Sequence, residues 1–268
     1  MSFEKLVDGF RKFQSEYFTG DETELFEKLI LEGQSPETLF IACSDSRIDP
    51  GIVTNAAPGD IFSIRNVAAL VPAYKPDGKE HGTSAAIEYA VDVLKVKSII
   101  VMGHALCGGI KALAESPNDF NDHTDFIASW ISVGRRARDL VRKAYPDAST
   151  DKHAPLLEQA IILVSLKNLM TFPKIKQGVI EGRIALHGWY FDIPNGKLLS
   201  YDPVEMKFKN ILSGIPQAAI GIAECGCKPT TLSLTHFLKT DYAEKQKRRA
   251  GKSASSKISV QEKIPELL

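Results

Sequence analysis

The sequence predicts an α/β fold: a mainly parallel β-sheet flanked by helices, preceded by an N-terminal helical arm. Three observations carry that prediction. Short apolar runs at Thr38–Ala42, Ile61–Ile64 and Ser98–Met102 suit strands buried on both faces. Helix-period segments lie between and after them, first at His81–Leu94. The chain has 268 residues, 44% hydrophobic and 25% charged, enough to bury a sizeable core without metals or disulfides as staples.

Taken in order, Phe3, Leu6, Val7, Phe10, Phe13 and Tyr17 recur at helical spacing, so residues 3–18 read as an amphipathic helix. Thr23–Leu31 reads as a second helix, stopped by Gly33 and Pro36. Residues 1–36 are thus expected to form the arm, and 37–205 the α/β domain. Within that domain two longer helices are expected, over Thr124–Ala144 and over Lys152–Met170, the second ended by Pro173. Arg183–Ile193 and Lys197–Tyr201 flank Pro194-Asn195-Gly196 and read as a hairpin, because Asn-Gly adopts positive φ cheaply. Residues 206–268 form an extension. From Lys239 onward it holds eight Lys or Arg, four Asp or Glu and few large apolar residues, the composition of a mobile or partner-contacting tail.

Several function classes are excluded. Lys plus Arg equals Asp plus Glu, 33 against 33, whereas a nucleic-acid-binding domain shows a basic excess. No apolar run reaches the ~20 residues that cross a bilayer. The first residues are well supplied with acids and lack a continuous apolar stretch, unlike transit or secretory signals, so the expected compartment is the cytoplasm. Four cysteines are too few for a disulfide scaffold and read as ligands, nucleophiles or core filler.

Two segments concentrate chemistry: Cys43-Ser-Asp45-Ser-Arg47 and Gly103-His104-Ala-Leu-Cys107-Gly108-Gly109. Each follows a buried strand, and in open parallel sheets ligand sites form at the carboxyl ends of strands. If those strands are neighbours, Cys43, His104 and Cys107 meet. Two thiolates and an imidazole suit Zn²⁺, and three protein ligands leave a fourth tetrahedral position open, the mark of a catalytic site. Two thiolates also cancel the charge of Zn²⁺, so its water is acidified less than at a three-histidine site, and Asp45 with Arg47 are the supporting candidates. A phosphatase-like reading of Cys43 fails, because only three residues separate it from Arg47.

With these motifs the sequence resembles the β-class carbonic anhydrases. Supporting segments are Pro58–Ala68, Ala86–Ala90 and Val164–Leu169, and the resemblance covers roughly residues 3–205. It implies one Zn²⁺ per chain held by Cys43, His104 and Cys107, and reversible hydration of CO₂ to bicarbonate and a proton by attack of zinc-bound hydroxide. Asp45 and Arg47 match the family's catalytic pair, with Asp45 a fourth ligand in a closed state. Gln34, nine residues before Cys43, and Phe40, where an allosteric subtype carries tryptophan, point to the plant-like open pocket. Its substrate-binding residues fall on Gln34, Phe62, Val67, Tyr89 and Gly108. The resemblance further implies a homodimer or higher homo-oligomer, with the arm laid over a partner. Two alternatives share the same ligands: hydrolysis of CS₂ or COS, and a closed-site zinc-stabilised binding protein. Cys225, Cys227 and the basic run Lys245–Arg249 lie outside the resemblance, and none of His81, His123, His153, His187 and His236 has ligand-like spacing.

Overall fold

The computed structural model describes residues 2–20, 23–116, 126–146 and 149–213. The arm is two helices, α1 (Phe3–Tyr17) and α2 (Thr23–Glu32), in which no residue is fully buried. Phe13, Tyr17 and Phe18 pack their rings on Phe26 and so clasp the two helices together. Phe3, Leu6 and Phe10 stay exposed, so this part of the apolar stripe of α1 finds no core among the described residues.

The sheet follows from the apolar runs. β1 (Thr38–Cys43), β2 (Ile61–Asn66), β3 (Ser98–His104) and β4 (Ala185–Asp192) are parallel neighbours in the order β2-β1-β3-β4. Leu39, Ile41, Ile99 and Val101 are wholly buried, as expected of strands covered on both faces. The register sets Leu39 opposite Phe62, Cys43 opposite Asn66 and Ala42 opposite Met102. β5 (Lys197–Asp202) and β6 (Lys207–Asn210) extend the sheet antiparallel beyond β4.

Helices fill the crossovers: α3 (Pro50–Thr54), α4 (Gly82–Asp92), then α5 (Gly108–Glu115), α6 (Phe126–Ile131), α7 (Arg135–Ala144), α8 (Thr150–Leu169) and α9 (Pro173–Ile180). α8 lies directly on β3 and β4: a Cβ added to Gly103 would sit 2.8 Å from Ile162, and one added to Gly188 2.9 Å from the same side chain. Both positions need the absent side chain for the helix to approach so closely.

Four expectations require correction. The helix expected over Thr124–Ala144 is broken, among its described residues, by a 3₁₀ turn at Ser132–Gly134. Gly134 there is wedged between Leu113 and Ile161, where any Cβ would fall 2.5 Å from each. Pro173 does more than end a helix; it occupies the first turn of α9, where a missing N–H costs nothing. The expected hairpin forms between β4 and β5, but its loop spans Ile193–Gly196, one residue more than Pro194–Gly196, and of Asn195 and Gly196 only Gly196 takes positive φ, at 59°. The sheet also continues past residue 205 into β6, a four-residue strand too short to register as a periodic pattern. Cys225, Cys227 and the basic tail fall outside the described residues.

Candidate metal centre

Cys43 is the last residue of β1 and His104 the last of β3. Because these strands are adjacent and parallel, the two side chains leave the sheet at one corner. Cys107 is returned to that corner by a tight turn in which Leu106 adopts φ 59°. A left-handed leucine costs about 1–2 kcal/mol and persists only where its surroundings impose it. Cys107 then caps α5, with extended φ and ψ.

The ligand atoms of Cys43, His104 and Cys107 lie within 4.8 Å of one another, and all three residues are buried. The two sulfurs are 3.9 Å apart. His104 Nδ1 contacts the Ala105 carbonyl at 2.9 Å, which fixes the ring and leaves Nε2 buried with no hydrogen-bond partner among the described residues. A buried imidazole nitrogen without a partner costs free energy unless a further group occupies the space it faces. The Cys43 thiol is acidified by its contact with Cys107, while the second thiol resists ionisation beside the first. A divalent cation removes that opposition, since it binds thiolate and neutral imidazole. The donor set therefore fits Zn²⁺.

Surrounding groups support each ligand. The Ala68 amide donates to Cys43 Sγ at 3.3 Å from a turn in which Ala68 and Ala69 both take positive φ. Arg65 donates to the Cys43 and Asp45 carbonyls and to the Asp49 carboxylate, bracing the loop after β1. Glu158 of α8 accepts the Cys107 N–H at 3.2 Å through Oε1 and the Tyr190 hydroxyl at 2.8 Å through Oε2. Burial raises the Glu158 carboxyl, and those two donors oppose the rise.

Asp45 sits beside the cluster, its Oδ2 3.9 Å from His104 Nε2. Arg47 grips both carboxylate oxygens, Nε to Oδ1 at 2.9 Å and Nη2 to Oδ2 at 2.7 Å, and its backbone N–H adds a third bond. That grip holds the Asp45 carboxyl far below the usual carboxylate range. Arg47 Nη2 also donates to the Leu106 carbonyl at 3.1 Å, joining the two motif loops.

The remaining expected residues divide. Gly108 follows Cys107 directly and faces open space, and Val67 packs beside Gly109 with its carbonyl accepting from Trp130. Both border the cluster. Phe62 and Tyr89 pair with each other, ring centroids 5.8 Å apart, at the edge strand β2. Phe62 stands four register steps before Asn66, about 13 Å along the strand from the level of Cys43, so this pair does not join its own chain's cluster. Gln34 is exposed ahead of β1 and makes no side-chain hydrogen bond among the described residues. Glu158, Tyr190, Arg65 and Ala68 were not expected as site residues. A signal existed for Glu158, the one acid inside the apolar stretch Leu156–Leu166.

A family model described as carbonic anhydrase matches residues 38–198. Carbonic anhydrase 1 of Escherichia coli O157:H7 is 40% identical over 204 residues, covering 76% of this chain and 90% of that protein. The solved β-carbonic anhydrase CcaA superposes with a TM-score of 0.70 at 36% identity, over 77% of this chain and 98% of the other. One of two tetrameric β-carbonic anhydrases from the filamentous ascomycete Sordaria macrospora gives 0.56 at 29% identity, over 74% and 92%. The cluster at the carboxyl ends of β1 and β3 thus belongs to an enzyme, and the chain is a member of the β-class carbonic anhydrase family.

Proposed function

We propose that this chain catalyses reversible, zinc-dependent hydration of CO₂ to bicarbonate and a proton. The observation that carries the reading is the buried, partnerless His104 Nε2 facing two buried sulfurs while Arg47 occupies the neighbouring Asp45 carboxylate. Cys43, His104 and Cys107 would hold the ion, which when bound supplies the Lewis acidity that makes a water nucleophilic near neutral pH. Asp45 stays ionised and acceptor-only, so its carboxylate would accept a hydrogen bond from the attacking water and orient it toward the CO₂ carbon. Arg47 keeps the carboxylate in place as a hydrogen-bond acceptor rather than a fourth ligand. The free Gly108 amide donates to a substrate oxygen, and Val67 supplies apolar wall.

Phe62, Tyr89 and Gln34 serve the pocket through a second copy. The β2 edge and the apolar residues of α1 left exposed among the described residues support a homodimer or larger homo-oligomer, as does the likeness to tetrameric relatives. No described helix is long and apolar enough to cross a membrane.

The test is stopped-flow CO₂ hydration on metal-quantified protein between about pH 6.5 and 9. Zinc-dependent activity that rises with pH is expected. Cys43→Ser and His104→Ala should lose metal and activity together, and Asp45→Asn should keep the metal and lose turnover by about 100-fold or more. One tightly bound zinc per chain without CO₂ hydration would overturn the reading. Sulfide release from CS₂ or COS in the same preparation would then redirect it.

A further inference from the structure

Arg47 and Glu158 hold opposite ends of one peptide unit. Arg47 Nη2 donates to the Leu106 carbonyl at 3.1 Å, and the Cys107 N–H of the same peptide donates to Glu158 Oε1 at 3.2 Å. This is the peptide that leaves the strained Leu106, φ 59°, and delivers Cys107 to the cluster. Without both grips, rotation of that plane relieves the strain and swings Sγ away from His104 and Cys43. Glu158 is itself fixed from behind. Its Oε2 accepts the Tyr190 hydroxyl at 2.8 Å, and Tyr190 lies on β4 directly opposite Gly103. Gly103 in turn lets α8 approach the sheet, since a Cβ there would press on Ile162 and stand 3.4 Å from the Glu158 carbonyl.

We infer that Glu158, braced by Tyr190, is a positioning residue for the metal ligand Cys107, and that it acts jointly with Arg47 through the Leu106–Cys107 peptide. A buried carboxylate is costly in a core, and Glu158 is 4% exposed on a helix whose Leu157, Ile161 and Ile162 are also buried. A neutral apolar residue at this place would pack α8 equally well. What it would not do is accept a peptide N–H at the metal corner. The two grips also link the Asp45–Arg47 pair to the ligand loop: a peptide released by Glu158 withdraws the Leu106 carbonyl from Arg47, and Arg47 loses one of the bonds that orient it on Asp45.

The inference rests on the metal-binding reading above, so metal binding by the unaltered protein is the first control. Zinc affinity and the thiolate-to-metal charge-transfer band of the cobalt(II)-loaded protein are measured for Glu158→Leu, Glu158→Gln, Tyr190→Phe, Arg47→Met and the Glu158→Leu/Arg47→Met double variant. Glu158→Leu should weaken zinc binding by about 10–100-fold, the usual effect of losing a group that orients a ligand, and should shift the cobalt band. Glu158→Gln keeps an acceptor and should recover most of the affinity. The double variant should lose less than the product of the two single losses, because both act on one peptide. Unaltered affinity and spectrum in Glu158→Leu, or losses that simply multiply, would overturn the inference. If Glu158→Leu does not fold, Tyr190→Phe decides: a displaced cobalt band supports the inference and an unaltered one rejects it. Failure of the unaltered protein to bind zinc or cobalt would instead remove the underlying reading.

Discussion

Replacing Gly109 with alanine tests how the metal corner is assembled without touching a ligand. The added Cβ would fall 2.7 Å from Val67 Cγ1, 3.1 Å from Ala68 Cβ and 3.5 Å from the Ala68 nitrogen. Val67 Cγ1 is on a β-branched side chain that can rotate only between staggered wells, and Ala68 cannot rotate at all. The 67–69 turn must therefore back away, and it carries the N–H that supports Cys43 Sγ. Overpacking of this kind costs about 1–3 kcal/mol, which lowers Tm by about 2–12 °C for a domain of this size. The hydrogen bond to a thiolate is worth about 1.5–3 kcal/mol, so zinc affinity should fall by about 10–100-fold. Gly108→Ala is the internal control. It sits one residue earlier in the same helical turn, and an added Cβ there meets nothing within 4 Å. Thermal melts and competitive zinc titration of both variants give the answer. If Gly109→Ala matches Gly108→Ala in both, the contact of α5 with the 67–69 turn does not hold the Cys43 amide bond, and this account of the corner is wrong.

Two further predictions concern regions away from the ligands. Arg138 is 1% exposed and donates to the Ser116 carbonyl and hydroxyl, while Arg142 donates to the Ala114 and Ser116 carbonyls, so α7 caps the carboxyl end of α5. Arg138→Met should cost about 1.5–3 kcal/mol in urea unfolding with near-normal zinc affinity; an unchanged midpoint would refute the capping role. His187 on β4 has no hydrogen-bond partner among the described residues, and burial lowers its pKa from the ordinary value. The unfolded chain therefore binds a proton that the folded chain resists, and stability falls as pH drops below about 6.5, by at most about 1.4 kcal/mol per pH unit. His187→Gln should flatten the Tm profile between about pH 6.5 and 5, and an equally steep profile in the variant would dismiss the effect.

The parallel strands and the clustering of Cys43, His104 and Cys107 were legible because each is a local pattern with one physical cause. A six-residue apolar run such as Thr38–Cys43 can bury both faces only inside a sheet. Cysteine and histidine at the ends of two such runs then have one place to meet, once β1 and β3 are neighbours. The broken helix at Ser132–Gly134 was not legible, because nothing in that stretch announces that Leu113 and Ile161, distant in sequence, would press on Gly134 from both sides. β6 escaped for a different reason: with only Phe208 packed inward against Tyr190 and Tyr201, it has too few apolar positions to show a period.

The supporting shell lies between these extremes, and its logic separates what a motif states from what a fold supplies. Asp45 and Arg47 are two residues apart, and their ion pair is a local fact that the sequence can carry. The grip of Glu158 on Cys107 spans 51 residues and runs through a backbone N–H, which has no side-chain identity to read. The same holds for the Ala68 amide on Cys43 and the Leu106 carbonyl on Arg47. Two of these contacts use backbone groups of non-glycine residues at positive φ, Ala68 and Leu106, and the third uses the N–H of the peptide that follows Leu106, so neither the donors nor the strain leaves a compositional trace. Their geometry depends on how closely α8 approaches the sheet and α5 the 67–69 turn, and that is set by Gly103 and Gly109. The glycines flanking the ligands therefore report on helix approach, and through it on the orientation of sulfur, more than on the flexibility of the loops that contain them.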